Sequence, residues 1–272
     1  MLFKKESHTD EKNGVSWLNG RVQFQSIALN VHSYLVDGVL IDTGGQSLFK
    51  QFKAFIDEAD FDKVMLTHYH EDHTGNAAYI GKTKNVPIYL SGKTMDYCTQ
   101  KADYPLYRKL FWGKRKPFHA EPMPETFQSR NATWDVIDTP GHAHDHKAFL
   151  NRNTGHLFTG DLYVSPRTKL VLAEEDVPTI IRSLERVLTY DFDNIFCSHA
   201  GYIEDGRQAI ERKRENLLSV QHDVLALKNE GKPAGVIRKE LFPKKYPITK
   251  ISGGEWDSLH IVNSIMNENG FR

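Results

Sequence analysis

Apolar and polar positions change rhythm several times along the chain, and each change predicts an element. Between positions 15 and 42 the apolar residues fall in short extended runs: VSWL, VQFQSIAL, VHSYLV and, after Asp37-Gly38, VLIDTGG. Branched and aromatic residues in such blocks favour strands, and aspartate-glycine between two blocks predicts a tight hairpin. Over 47–59 the rhythm lengthens. Leu48, Phe49, Phe52, Phe55 and Ile56 recur at helical spacing. A strand is expected at 63–66 and another at 86–90, with helices beginning near His73 and over 91–101. The period breaks over 103–125, where four prolines stand among many aromatics, and an insertion lying over the surface is expected. Strands return at 134–138, 146–150, 156–159 and 194–197, with a helix over 177–188. From about 205 onward no strand is evident, and helices are expected over 206–229, 233–241 and 254–269.

Strand and helix alternate twice, which suggests two sheets face to face with helices outside. The reading is an α/β domain over 1–204, carrying the insertion 103–125, and a C-terminal helical appendage over 205–272. The first dozen residues, MLFKKESHTDEK, are polar and expected to fray. Composition adds exclusions. With 35 basic and 35 acidic residues, no global field recruits nucleic acid or an anionic membrane. Cys98 and Cys197 are the two cysteines and form no Cys-x-x-Cys pair, which fits a reducing compartment and argues against a Cys-rich zinc site. No apolar run is long enough to span a bilayer, and the N-terminus lacks the apolar core of a secretory signal. A soluble cytoplasmic protein is expected.

Candidate chemistry is concentrated in THYHEDHTGN, residues 67–76. Imidazole and carboxylate together ligate zinc and similar divalent ions. His68 and His70 are two apart in the segment leaving the strand, so their side chains share one side. Asp72 and His73 begin the following helix and aim at a second point nearby. Other strands also end in His or Asp beside glycine: His142 in TPGH, Asp161 in FTGD, His199 in SHAG and Asp42 in IDTG. Taken singly each is ordinary turn text; taken jointly they form a ligand set.

The motifs IDTG, THYHEDH, TPGH, FTGD and SHAG, in this order over 22–201, resemble those of the metallo-β-lactamase-fold hydrolases. The separations fit too: 69 residues from His73 to His142, 19 on to Asp161 and 38 on to His199. The resemblance implies a four-layer αββα sandwich with two divalent ions at one sheet edge. His68, His70 and His142 would hold the first ion, Asp72, His73 and His199 the second, with Asp161 bridging. Asp42 would orient a ligand by a hydrogen bond; His146 either does the same or is an ordinary strand residue. With no cysteine at a ligand position, the set resembles glyoxalase-II-type thioesterases, acyl-homoserine-lactone lactonases and tRNA-processing-type nucleases rather than the antibiotic-hydrolysing branch. Cys197 is expected to pack inside. The 19-residue gap and helical tail resemble the β-lactamase-like proteins that include a mitochondrial endoribonuclease.

Such a site implies a hydroxide shared by two ions and attacking a carbonyl or phosphorus. Zinc suits the ligands, and iron or manganese fits the same shell. Asp72 and Tyr163 are the candidate catalytic residues; Tyr163, or Tyr69, would donate a proton or is simply packing. Arg108, Lys109, Lys114, Arg115 and Lys116 stand in the insertion among Tyr104, Tyr107, Phe111, Trp112 and Phe118. They read either as a lid over an anionic or acyl substrate or as a surface flap with aromatics for anchoring or a homodimer contact. Arg212-Lys213-Arg214 and Lys244-Lys245 read as a solvated face or an anion site. Three functions follow: hydrolysis of a small ester, thioester or lactone; cleavage of single-stranded RNA or nucleotides as a phosphodiesterase; or metal sensing without turnover. The complete ligand set disfavours the last, and zero net charge without an RNA-binding module favours the first.

Overall fold

The computed structural model describes residues 3–267. Residues 1–2 of the polar opening and 268–269 of the last expected helix lie outside the described residues. From Lys4 onward the opening is a strand, contrary to the expectation of fraying. Strand β1 (Lys4–Lys12) pairs antiparallel with β2 (Val15–Phe24), from Lys4 opposite Gln23 to Lys12 opposite Val15. Main-chain pairing does not need apolar side chains, and a charged strand suits a sheet edge because it deters pairing with other chains. The run VQFQSIAL is likewise not one strand. It turns at Gln25, which has φ +53°, before β3 (Ile27–Val36). No glycine marks that turn, so its alternation reads straight through. The Asp37-Gly38 hairpin to β4 (Val39–Ile41) forms as expected, with positive φ at both residues.

Next come α1 (Phe49–Glu58), β5 (Lys63–Met65), α2 (Glu71–Thr74), α3 (Ala77–Thr83), β6 (Ile88–Leu90), α4 (Met95–Cys98), α5 (Leu106–Trp112) and β7 (Glu121–Pro122). The helix expected over 91–101 is thus one turn, and the insertion contains both a helix and a strand. In α5 Tyr107 and Phe111, four apart, are buried while Leu106 and Leu110 are exposed. Flanking prolines hid that short period. The first sheet runs β1 to β7 in order, parallel from β4 onward.

The second half contains β8 (Thr126–Gln128), β9 (Thr133–Asp138), β10 (Lys147–Asn151), β11 (His156–Gly160), β12 (Val171–Leu172), α6 (Val177–Leu188), β13 (Ile195–Cys197) and β14 (Gly201–Ile203). Its sheet order is β14-β13-β11-β10-β9-β8, and α6 is the crossover between the parallel β11 and β13. After it stand α7 (Gly206–Asn229), α8 (Ala234–Leu241), α9 (Pro247–Ile251), β15 (Trp256–Asp257) and α10 (Ser258–Met266). The two-residue β15, absent from the sequence reading, pairs with β12.

Alternation along the strands makes the layers. Val39, Ile41, Phe149, Phe158 and Phe196 point into the cluster between the sheets. Their neighbours point outward: Leu40 joins the cluster of α1 and α3, while Leu150, Leu157 and Ile195 join that of α6. Ile210, Leu217 and Val224 of α7, Ile237 of α8 and Ile261 of α10 belong to this last cluster, so the C-terminal helices thicken the outer layer over α6. The result is the expected αββα sandwich with C-terminal helices. Among the described residues no helix is long and apolar enough to cross a membrane.

Candidate metal centre

The ligand-bearing loops leave the strand ends of both sheets. From the first, the chain passes β5 and reaches His68 and His70 before α2 begins. Thr74 Oγ1 donates to the His70 carbonyl at 2.9 Å and closes the turn that sets Asp72 and His73. The loop after β4 grips this segment: Thr43 donates to the His73 carbonyl through its amide at 2.7 Å and its hydroxyl at 2.8 Å. Gly75 allows that approach, since a Cβ there would stand 2.4 Å from the Gln46 amide nitrogen. From the second sheet come His142 after β9, Asp161 after β11 and His199 after β13.

The loops bring together His68, His70, Asp72, His73, His142, Asp161 and His199. Ligand atoms fall within 4.8 Å of one another in three groups: His68, His70, His142; His68, His73, Asp161; and Asp72, His73, His199. Asp161 lies between the sets. Its Oδ2 is 3.2 Å from His142 Nε2 and 2.9 Å from His199 Nε2, and its Oδ1 is 3.4 Å from His73 Nε2. Asp72 Oδ2 is 3.5 Å from His199 Nε2.

Surrounding groups fix which nitrogen of each ring faces inward. Asp42 accepts from the Thr67 amide at 2.8 Å and lies 2.7 Å from His73 Nδ1, which turns Nε2 of that ring to the centre. His70 Nε2 faces Glu174 Oε1 at 2.9 Å, so its Nδ1 is turned to the centre, 3.1 Å from His142 Nε2. His199 Nδ1 faces the Asn30 carbonyl. His68 Nε2, His73 Nε2 and Asp161 Oδ1 are buried with no hydrogen-bond partner among the described residues. Leaving a buried polar atom unpaired costs about 1–3 kcal/mol. Three such atoms converging in one place, all of them metal-ligand types, fit a divalent ion that no protein donor replaces.

Electrostatics agree. Burial opposes ionisation of Asp161, but the imidazoles of His199, His73 and His142 outweigh it and hold the carboxyl well below the usual carboxylate range. Burial, with the neighbouring His73, pushes His68 well below the usual imidazole value, which keeps its lone pair available. His146 is no ligand. Its Nε2 accepts from the Asp161 amide at 3.0 Å while Nδ1 faces Thr139 Oγ1 at 2.8 Å. Gly160 lets the ring in, since a Cβ there would stand 2.5 Å from His146 Nε2.

Tyr163 is not brought to the centre. It is buried in the hydrophobic cluster of α6 and α7, and it is in none of the groups of ligand atoms. Tyr69 is also engaged elsewhere, donating to Glu174 Oε2 at 2.7 Å. Cys197 is buried in the same cluster as Tyr163 and is outside every ligand group. Sequence reasoning missed Glu174 and Glu175, the latter 3.4 Å from His142 Nδ1 through Oε2. Their signal is the run EED, where Asp176 alone suffices to cap α6 by accepting from the Thr179 amide at 2.9 Å. We expect Glu174→Gln to weaken metal binding by about 10- to 100-fold, read by competition with a chromogenic chelator, with circular dichroism unchanged. Unaltered affinity would separate Glu174 from His70.

Over the centre opens a cavity of about 390 Å³. Its lining includes His70, Asp72, His142, Asp161 and His199 together with the apolar or aromatic Leu29, Tyr107, Phe111, Trp112 and Leu172. The insertion thus overhangs the site, but two of its cations do not face solvent. Arg108 pairs bidentately with the buried Glu71 at 2.8 and 2.7 Å, and Arg115 donates to the Cys98 carbonyl at 2.7 Å.

A family model described as the metallo-beta-lactamase superfamily matches residues 27–199. The chain is 31% identical over 185 residues to a Drosophila melanogaster protein named beta-lactamase-like protein 2 homolog, covering 64% of this chain and 58% of that one. It is 24% identical over 221 residues to an atrochrysone carboxyl ACP thioesterase of Aspergillus fumigatus, covering 75% and 62%. The chain therefore spans less than two thirds of the length of either relative. Among solved structures, a metallo-beta-lactamase family protein from Thermus thermophilus superposes with a TM-score of 0.68 at 20% identity, covering 94% of each chain. With the family model matched over 27–199, a span that contains these strand-end loops, the chain belongs to the metallo-β-lactamase superfamily.

Proposed function

We propose that the protein is a dinuclear metal-dependent hydrolase of small esters, thioesters or lactones. The observation that carries this is Asp161 standing within 3.4 Å of the imidazoles of His73, His142 and His199, in a cavity whose lining also includes Leu29, Tyr107, Phe111 and Trp112. His68, His70 and His142 would hold one ion and Asp72, His73 and His199 the other, with Asp161 shared; zinc suits this shell best, and iron or manganese also fits. When bound, such ions supply Lewis acidity and a water acidified to near neutrality. The chain contributes placement: Asp42 holds His73, Glu174 holds His70, and the His146 ring holds the main chain at Asp161. Leu29, Tyr107, Phe111 and Trp112 would exclude water and seat an acyl group. Buried free thiols at Cys98 and Cys197 accord with a reducing, cytoplasmic setting.

The name of the Aspergillus relative, a thioesterase, supports carbonyl chemistry. Cleavage of RNA has less support, because Arg108 is neutralised by Glu71 and Arg115 is spent on main-chain carbonyls. The test is a panel of thioesters, esters, lactones, phosphodiesters and RNA, with metal analysis of protein purified without added metal. We expect turnover of a carbonyl substrate that a chelator abolishes, zinc restores and ionic strength barely alters. RNA cleavage falling steeply with salt would transfer the assignment to the phosphodiesterase class.

A further inference from the structure

The sequence reads Lys213 as part of a basic run, either solvated or an anion site. The structure separates it from its neighbours. Arg212 is exposed, whereas Lys213 is 6% exposed and lines the cavity over the ligand cluster. An ammonium has three donors. Here one is used, from Nζ to the Tyr163 carbonyl at 2.6 Å. Among the described residues no carboxylate lies within ion-pair distance, 4.0 Å, of that nitrogen. The acid nearest in influence, Glu175, is already committed, accepting from the Leu172 amide at 2.9 Å and facing His142. A buried charge without a partner is costly, so this wall of the cavity is built for a negative group that the protein does not itself provide. Burial pushes the amine down to about 8, against the opposing pull of Glu175 and Asp161. Arg167 and Lys169, exposed on the cavity rim, add positive charge at the entrance.

We propose that Lys213 binds a carboxylate carried by the substrate, so that the substrate class is an ester, thioester or lactone with a free carboxylate on its acyl part. This rests on the hydrolase reading above for the reacting bond, but the anion site itself does not. One buried ammonium matches one negative charge. A phosphate dianion would bring a surplus charge against apolar walls, which makes carboxylate the better occupant.

Two measurements on the full chain test it. In metal-free protein, hexanoate is expected to raise the melting temperature of the wild type and of Lys213→Arg, with hexanol inert and Lys213→Met unresponsive. In zinc-loaded protein, the p-nitrophenyl hemiester of glutaric acid is expected to exceed its methyl diester in kcat/KM by at least tenfold, a ratio that falls towards one in Lys213→Met. Hydrolysis of both esters at equal rates by the wild type overturns the proposal, as does a hexanoate response that hexanol reproduces or that Lys213→Met retains. Should Lys213→Met not fold, the wild-type contrast of hexanoate with hexanol decides alone. A Lys213-dependent hexanoate response without hydrolysis of any ester would instead overturn the hydrolase reading and leave the anion site standing. Inorganic phosphate protecting better than hexanoate would refute the choice of carboxylate.

Discussion

Asp161→Asn is expected to leave the chain folded while reducing hydrolysis by about a thousandfold, because several kcal/mol of transition-state stabilisation are at stake and each 1.4 kcal/mol is a factor of ten. The substitution keeps the shape of the side chain and the main-chain amide that donates to His146. What it removes is a charge placed within 3.4 Å of His73, His142 and His199 together. Metal content is therefore expected to fall together with rate, from about two ions per chain on the proposed stoichiometry. Elemental analysis beside steady-state kinetics reads both. Full metal content with full activity would exclude Asp161 from the centre.

Glu71→Ala is expected to cost about 3–5 kcal/mol of stability, the usual consequence of stripping one partner from a buried ion pair. Glu71 is 2% and Arg108 9% exposed, and their pairing is bidentate. Arg108 keeps Glu255 at 3.3 Å and Glu174 at 3.7 Å, so the loss should fall at the lower end of the range. Thermal or urea unfolding measures it, and a cost under about 1 kcal/mol would show the pair to be solvent-screened. Replacing both residues by apolar ones, Glu71→Leu with Arg108→Met, is expected to recover most of the loss, since no uncompensated charge then remains. Because Arg108 joins α5 to the segment preceding Asp72, the single variant should also loosen the cavity roof.

How far the chain was legible from its residues depends on the range of the interactions involved. The helices Val177–Leu188 and Gly206–Asn229 follow from local period and appear with the expected bounds. The seven candidate ligand residues, which the structure brings together, were legible as a cluster because each follows an apolar strand, and strand ends converge whatever the intervening chain does. Where a turn lacks glycine, as at Gln25, or a strand lacks apolar residues, as in Lys4–Lys12, local text misleads. Glu174 lies 104 residues from His70, and nothing in the run EED points to that partner. Arg108 and Arg115 read in sequence either as substrate-binding lid charges or as solvated ones, and only packing shows them paired with Glu71 and with main-chain carbonyls. The placement of Tyr163 in the α6 cluster was not legible for the same reason: two residues past Asp161, side-chain direction belongs to the loop.

The ligand loops also come from opposite halves of the sandwich: four residues follow a strand of the first sheet and three follow strands of the second. His70 and His142, 72 positions apart in sequence, meet with 3.1 Å between ring nitrogens. An ion gripping both would be a clasp between the halves, closing long stretches of chain that the unfolded polymer would otherwise explore. Occupancy would then govern durability as well as reactivity, and scarcity of metal in the medium would be felt first as a chain that opens more readily.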